Sequence, residues 1–236
     1  MTELMTAGQD LMHNVNGLYS TILADPPWRF ENRTGKMAPE HRRLARYQTL
    51  SFQEIYELPV AQLAAERSHL YLWVPNALLA EGLETMKRWG FTYKTNLIWY
   101  KVRKDGGPDR RGVGFYFRNV TELVLFGVRG RNIRTLDAGR KQPNIMVARK
   151  REHSRKPDDL YDIIESCSWG PYLELFARFL RPDWTQWGNE VDPDVVTATQ
   201  SSFEYQIRPD LPEPARNGLS QLRLMEPSTP DLPTRD

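Results

Sequence analysis

Apolar residues recur along the chain at two periods, and the breaks between them predict alternating strands and helices. Tyr19-Ser20-Thr21-Ile22-Leu23-Ala24 is the first apolar run and reads as a strand, closed by Asp25-Pro26-Pro27-Trp28. Residues 29–48 are polar and basic, contain Gly35 and Pro39, and read as a long loop. Ser51-Phe52-Gln53-Glu54 has the form of a capping box and opens a helix expected over 51–66. Residues 69–74 read as a buried strand. Residues 76–89 are amphipathic, with Leu78, Leu79, Leu83 and Met86 expected inward and Gly90 as the stop. Residues 91–102 alternate and are rich in aromatics, which predicts a strand. A basic Gly-rich loop is expected over 103–114, and a further strand over 121–128. Residues 130–156 read as basic and irregular. A helix over 157–167 carries Pro157 in its first turn. Residues 172–177 read as a strand, and Trp184-Thr185-Gln186-Trp187 leads to Gly188-Asn189-Glu190.

The succession strand, helix, strand, helix, strand predicts an α/β domain over residues 19–190, with a mainly parallel sheet flanked by helices. Residues 1–18 read as a short lead-in. Residues 191–236 hold seven prolines and little periodicity, and are expected to be a loosely structured tail. In parallel sheets ligands bind beyond the carboxyl ends of the strands. Asp25 and Arg178 each follow a predicted strand, so both are expected on one rim.

Composition narrows the function classes. The chain has 236 residues and a net charge of +2. It has no apolar run long enough to span a bilayer and no secretory leader at Met1-Thr2-Glu3-Leu4-Met5, so a cytoplasmic protein without membrane contact is expected. Its one cysteine, Cys167, excludes an internal disulfide and a multi-cysteine zinc site. The four histidines, His13, His41, His69 and His153, show no metal-ligand spacing, and no metal site is expected. The charge is unevenly spread. Residues 101–156 hold sixteen Lys and Arg against five Asp and Glu, a local excess of eleven. A charge run is often only a solvated face. Here half of the cations fall within Gly- and Pro-rich segments, which favours loops that track phosphates, with Arg110, Arg111 and Arg118 as contacts.

Asp25-Pro26-Pro27-Trp28 carries the sharpest chemistry. The Asp25 carboxylate offers only acceptors, and the Pro26 carbonyl offers another, so the pair suits the two N–H donors of an exocyclic amine. Trp28 suits a face on which a base stacks. A strand end that merely turns at two prolines and continues into a core Trp is the competing reading.

Several separated pieces then agree in order. They are Asp25-Pro26-Pro27-Trp28, Leu72-Trp73-Val74, Arg118-Asn119-Val120-Thr121-Glu122-Leu123, His153-Ser154-Arg155-Lys156-Pro157-Asp158, Leu173-Glu174-Leu175-Phe176-Ala177-Arg178 and Trp187-Gly188-Asn189. Together the chain resembles the adenine N6-methyltransferase family typified by the catalytic subunit of the eukaryotic messenger-RNA adenosine methylase, and in its compact length the bacterial and phage members. The resemblance implies a Rossmann-like methyltransferase sheet, with the catalytic tetrapeptide ahead of the cofactor strand, and S-adenosylmethionine as cofactor. It implies Lys156, Glu174, Arg178, Asn189 and Glu190 around the cofactor, Asp25 and Pro26 shared between cofactor and target amine, and Glu122 near the target base. Glu190 stands where some members carry an amide. The implied activity is methyl transfer to the N6 amine of adenine in nucleic acid by a monomer or homodimer. DNA is the favoured polymer, with an RNA adenosine methyltransferase and an inactive nucleic-acid-binding scaffold as alternatives.

Overall fold

The computed structural model describes residues 5–29, 50–109, 116–151 and 155–188, together with the strand 192–196. These residues group into two compact units. The first comprises residues 1–100, 121–146 and 158–201, and the second residues 101–120, 147–157 and 202–236.

The elements of the chain follow the alternation read from the sequence. They are α1 (Ala7–Asn14), β1 (Tyr19–Ala24), α2 (Phe52–Glu57), α3 (Val60–Leu63), β2 (Ala64–Val74), a 3-10 turn (Asn76–Leu78), α4 (Leu79–Arg88), β3 (Thr92–Val102), β4 (Thr121–Arg129), a second 3-10 turn (Asp137–Arg140), β5 (Ile145–Arg149), α5 (Asp159–Cys167), β6 (Tyr172–Leu175), β7 (Phe179–Leu180), β8 (Trp184–Trp187) and β9 (Asp192–Val196). Seven strands form one sheet in the order β5-β3-β4-β2-β1-β6-β8, and β7 pairs with β9. The fold is α/β with a mainly parallel sheet. β1 runs parallel to both β2 and β6, and β6 parallel to β8. β4 is antiparallel to β2 and β3.

The chain steps from β1 to β2 on one side and reaches β6 on the other. The connections therefore diverge at β1, and in sheets of this topology ligands bind beyond the carboxyl end of such a strand. β1 is central and buried on both faces, with Ile22 and Ala24 wholly inaccessible, which is why it reads as a continuous apolar run. The core joins Ile22, Leu70, Leu72, Leu125, Leu173 and Leu175 of the sheet to Ile55, Met86 and Trp89 from the helical side.

Several expectations change. The helix expected over 51–66 starts on its capping box, Ser51 accepting from the Glu54 N–H and the Glu54 carboxylate from the Ser51 N–H, but α2 ends at Glu57. Pro59 lacks the N–H that would continue it. Ala64 is drawn into β2 by pairing with Tyr19, and Ser68 by pairing with Arg129. On α4 the buried face is Gly82, Thr85 and Met86, continued from Leu78 in the turn before it, while Leu79 and Leu83 are exposed. Gly82 sets this rotation: a Cβ there would lie 2.6 Å from Val74 Cγ2, so only glycine lets the helix sink onto β2. The stretch 130–156 is not wholly irregular, since it holds β5 and a 3-10 turn. In the expected tail, residues 192–196 form β9 and pair with β7. In the lead-in, residues 7–14 are α1, whose Leu11 is wholly buried in the core.

Candidate active site on the strand rim

The rim of the first unit is built by strand ends. β1 delivers Asp25 and β6 delivers Phe176, with the Asp25 N–H donating to the Leu175 carbonyl at 3.4 Å. β2 ends at Val74, and Asn76 beyond it donates through Nδ2 to both the carbonyl and the hydroxyl of Thr121, each at 3.0 Å. That brings the start of β4, and with it half-buried Glu122, to the same rim. Asn76 was missed in the sequence, although the reasoning that singled out Asp25, the first polar side chain beyond a buried strand, applies equally to it.

Asp25 is half-buried on this rim. Pro26 is buried, and its carbonyl accepts from the Trp28 N–H at 2.8 Å, which leaves one of its two lone pairs. Trp28 has two readings from its place in the tetrapeptide, a stacking face or a core residue. Its ring is 5% exposed, its indole N–H donates to the Trp73 carbonyl at 2.9 Å, and it contacts Phe52. The ring therefore presents almost no open face to a base. Its position in the structure is that of an anchor that holds the tetrapeptide to β2. A bridge from Trp28 to Leu50 ties down the chain where it leaves.

Glu174 sits opposite Leu23 in the sheet register and is 8% exposed. One oxygen accepts from the Tyr161 hydroxyl at 2.7 Å, the other from Gln186 Nε2 at 2.6 Å. Burial pushes its carboxyl up to about 7; the charge of Asp25 adds to the rise, and the Tyr161 and Gln186 hydrogen bonds and Arg181 oppose it. Arg181 lies 4.5 Å over the Tyr161 ring, so the support reaches from α5 to β8. Each oxygen thus takes one partner inside the protein and keeps a further lone pair, and the carboxyl ties β6 to α5 and β8.

Beyond Glu174 the backbone turns sharply. Phe176 has φ of +65°, a costly conformation for an aromatic residue, which ends β6 before the 177 expected from sequence. The Ala177 N–H donates to the Trp187 carbonyl, and Phe176 meets the Trp187 ring edge-on at 5.2 Å. Gly188 closes the approach, because a Cβ there would lie 2.3 Å from the Ala177 carbonyl oxygen. From the other side the Trp187 indole N–H donates to Asp10 of α1 at 2.7 Å. Arg178 follows as a half-buried side chain.

Lys156 is half-buried and Arg118 exposed, and both belong to the second unit. Arg110, Arg111, Asn189 and Glu190, and the loop expected over 29–48 from residue 30 onward, lie outside the described residues. His69 is a core residue: its Nδ1 meets Ser168 Oγ at 2.7 Å, and burial lowers its pKa to about 4. Among the described residues no helix is long and apolar enough to cross a membrane.

The rim joins a half-buried carboxylate, a carbonyl with a spare lone pair and a backbone held in a rare conformation beside a central strand. Such a set accepts hydrogen bonds from an amine and accommodates a ligand against the backbone. A family model described as MT-A70 matches residues 19–190. Over 199 residues the chain is 32% identical to an N(6)-adenosine-methyltransferase MT-A70-like protein of Drosophila melanogaster, covering 80% of this chain and 30% of that one. It is 31% identical over 200 residues to the human N(6)-adenosine-methyltransferase catalytic subunit METTL3, covering 80% and 32%. It is 28% identical over 203 residues to the type II methyltransferase M.MunI of Mycoplasma sp, covering 79% and 84%. The chain thus spans about a third of the length of the first two relatives and most of the third. With the family pattern running through the strands that build this rim, the chain belongs to the MT-A70 family of S-adenosylmethionine-dependent N6-adenine methyltransferases.

Proposed function

We propose that the protein transfers a methyl group from S-adenosylmethionine to the N6 amine of adenine in nucleic acid, with DNA as the polymer. The observation that carries the reading is Asp25-Pro26 at the carboxyl end of the central strand, where the connections to β2 and β6 diverge. The amine of adenine is a weak nucleophile because its lone pair is delocalised into the ring. Asp25 and the remaining lone pair of the Pro26 carbonyl accept from its two N–H groups, which favours a pyramidal nitrogen with its lone pair freed. That stabilises the transition state over the ground state. Trp28 contributes by holding the tetrapeptide in place.

The donor set fits the cofactor. The rim carries carboxylates and carbonyls for its ammonium and ribose hydroxyls, and Arg178 for its carboxylate. When bound, the cofactor supplies an electrophilic methyl group. Glu174 is assigned to the cofactor on the motif alone, and its hydrogen bond to Gln186 also keeps β6 and β8 in register beside Phe176, Arg178 and Gly188. Lys156, Asn189 and Glu190 are assigned to the cofactor, and Glu122 to the target base, on the motif alone. A duplex substrate requires the adenine to be flipped out of its stack. DNA is favoured because the chain matches a type II methyltransferase over 84% of that protein.

The test is nucleoside mass spectrometry after DNA and RNA are incubated separately with S-adenosylmethionine. N6-methyldeoxyadenosine is expected. N6-methyladenosine alone moves the substrate to RNA, and neither product from either polymer overturns the assignment in favour of a binding scaffold. Asp25→Ala is expected to cut methyl transfer by at least about a hundredfold while leaving the fold intact.

A further inference from the structure

The second unit carries two aromatic rings in water. Tyr116 is 95% exposed and Phe117 86% exposed, adjacent in the chain and followed by exposed Arg118. Every other exposed large apolar side chain among the described residues is at most 60% exposed, and the next aromatic, Tyr93, is 40%. Rings so fully hydrated mark a surface that something else covers. The local charge says what kind of surface that is. Between β3 and β4 the chain carries Arg103, Lys104, Arg110, Arg111 and Arg118 against Asp105 and Asp109. Among the described residues of this stretch Arg103, Lys104 and Arg118 are exposed, Asp105 is paired with Arg103 at 2.7 Å and Asp109 is 5% exposed, so their solvent-facing balance is cationic.

Paired rings amid guanidinium groups match the π-faces and phosphates of unpaired nucleotides. Stacking on a ring tolerates any base, and arginine meets phosphate. We propose that Tyr116 and Phe117 form a stacking platform for unpaired bases of the nucleic-acid substrate other than the target adenine. This rests on the reading that the substrate is a nucleic acid. It gives the protein a base-contacting element separate from the tetrapeptide, one that governs substrate affinity and preference for unpaired strands rather than the methyl-transfer step.

The experiment compares the full chain with Tyr116→Ala/Phe117→Ala and with the ring-preserving Tyr116→Phe/Phe117→Trp. Fluorescence anisotropy with labelled single-stranded and duplex oligonucleotides measures affinity, light scattering measures mass, and kcat is taken at saturating substrate. Loss of the rings is expected to weaken single-strand binding by about 5- to 150-fold per ring and to leave duplex binding less affected. The ring-preserving variant retains affinity, and kcat, thermal midpoint and mass stay unchanged. Equal affinity of the alanine variant and the parent overturns the proposal. So does a fall in mass, which would place the rings between two copies of the chain. A parent that methylates nucleic acid while the alanine variant binds it equally well sinks this inference alone. A parent that neither binds nor methylates sinks the functional reading as well.

Discussion

Replacing Glu174 with glutamine tests the electrostatics under the rim, because the shape is kept while the charge is removed. The amide can satisfy both neighbours: its oxygen accepts from Gln186 Nε2, and its NH2 donates to the Tyr161 hydroxyl, which can reverse its role. The parent carboxyl is raised from 4.5 to about 7, mainly by burial. A carboxyl raised in the folded state stabilises the fold fully below its unfolded value and loses that contribution as pH climbs through the folded one. At 1.36 kcal/mol per unit, the parent therefore loses roughly 3 kcal/mol from this residue between pH 4 and 8, and Glu174→Gln does not. Urea unfolding of both proteins across that range should show the variant gaining about 3 kcal/mol relative to the parent, or some 6–12 °C in thermal midpoint for a chain of this size. A stability difference constant to within about 0.5 kcal/mol from pH 4 to 8 would refute the reasoning, whatever its sign.

Gly188→Ala forces a methyl group to 2.3 Å from the Ala177 carbonyl oxygen, where backbone has to give way. A loss of at least about 2 kcal/mol is expected, and an unchanged denaturation midpoint would show that β8 is not held against residues 176–177. Asp10→Ala leaves the largely buried Trp187 indole N–H without its carboxylate, at a cost of about 1–3 kcal/mol by chemical denaturation. Asp10→Asn, which retains an acceptor, should recover most of that, and equal losses in the two variants would point to a role other than this hydrogen bond.

The legible parts of the sequence were those fixed by near neighbours in the chain. β1, β4 and the start of α2 follow from a continuous apolar run and from a Ser51–Glu54 capping box, both of which act within a few residues. The misread parts depend on distant partners. Ala64 is a strand residue because Tyr19 lies beside it, and β9 exists because β7 does. Leu79 and Leu83 satisfy helical periodicity as well as the true face, but glycine at 82, which periodicity scores as nothing, decides which face approaches β2. At the site, Asp25 was readable because it directly follows a buried strand. The setting of Glu174 was not, because Tyr161 and Gln186 arrive from two other elements. The burial of Trp28 likewise depends on Trp73 and Phe52, more than twenty residues away in the chain.

The bridge between Trp28 and Leu50 brings together two points twenty-two residues apart in the chain. Once both ends are pinned, the entropic penalty of closing such a loop grows by only about 0.6 kcal/mol for each doubling of its length. The tetrapeptide itself stays moored to β2 through the Trp28–Trp73 hydrogen bond, whatever the length of chain between the two pinned ends. The anchor of the strand end is thereby insulated from variation in chain length beside it.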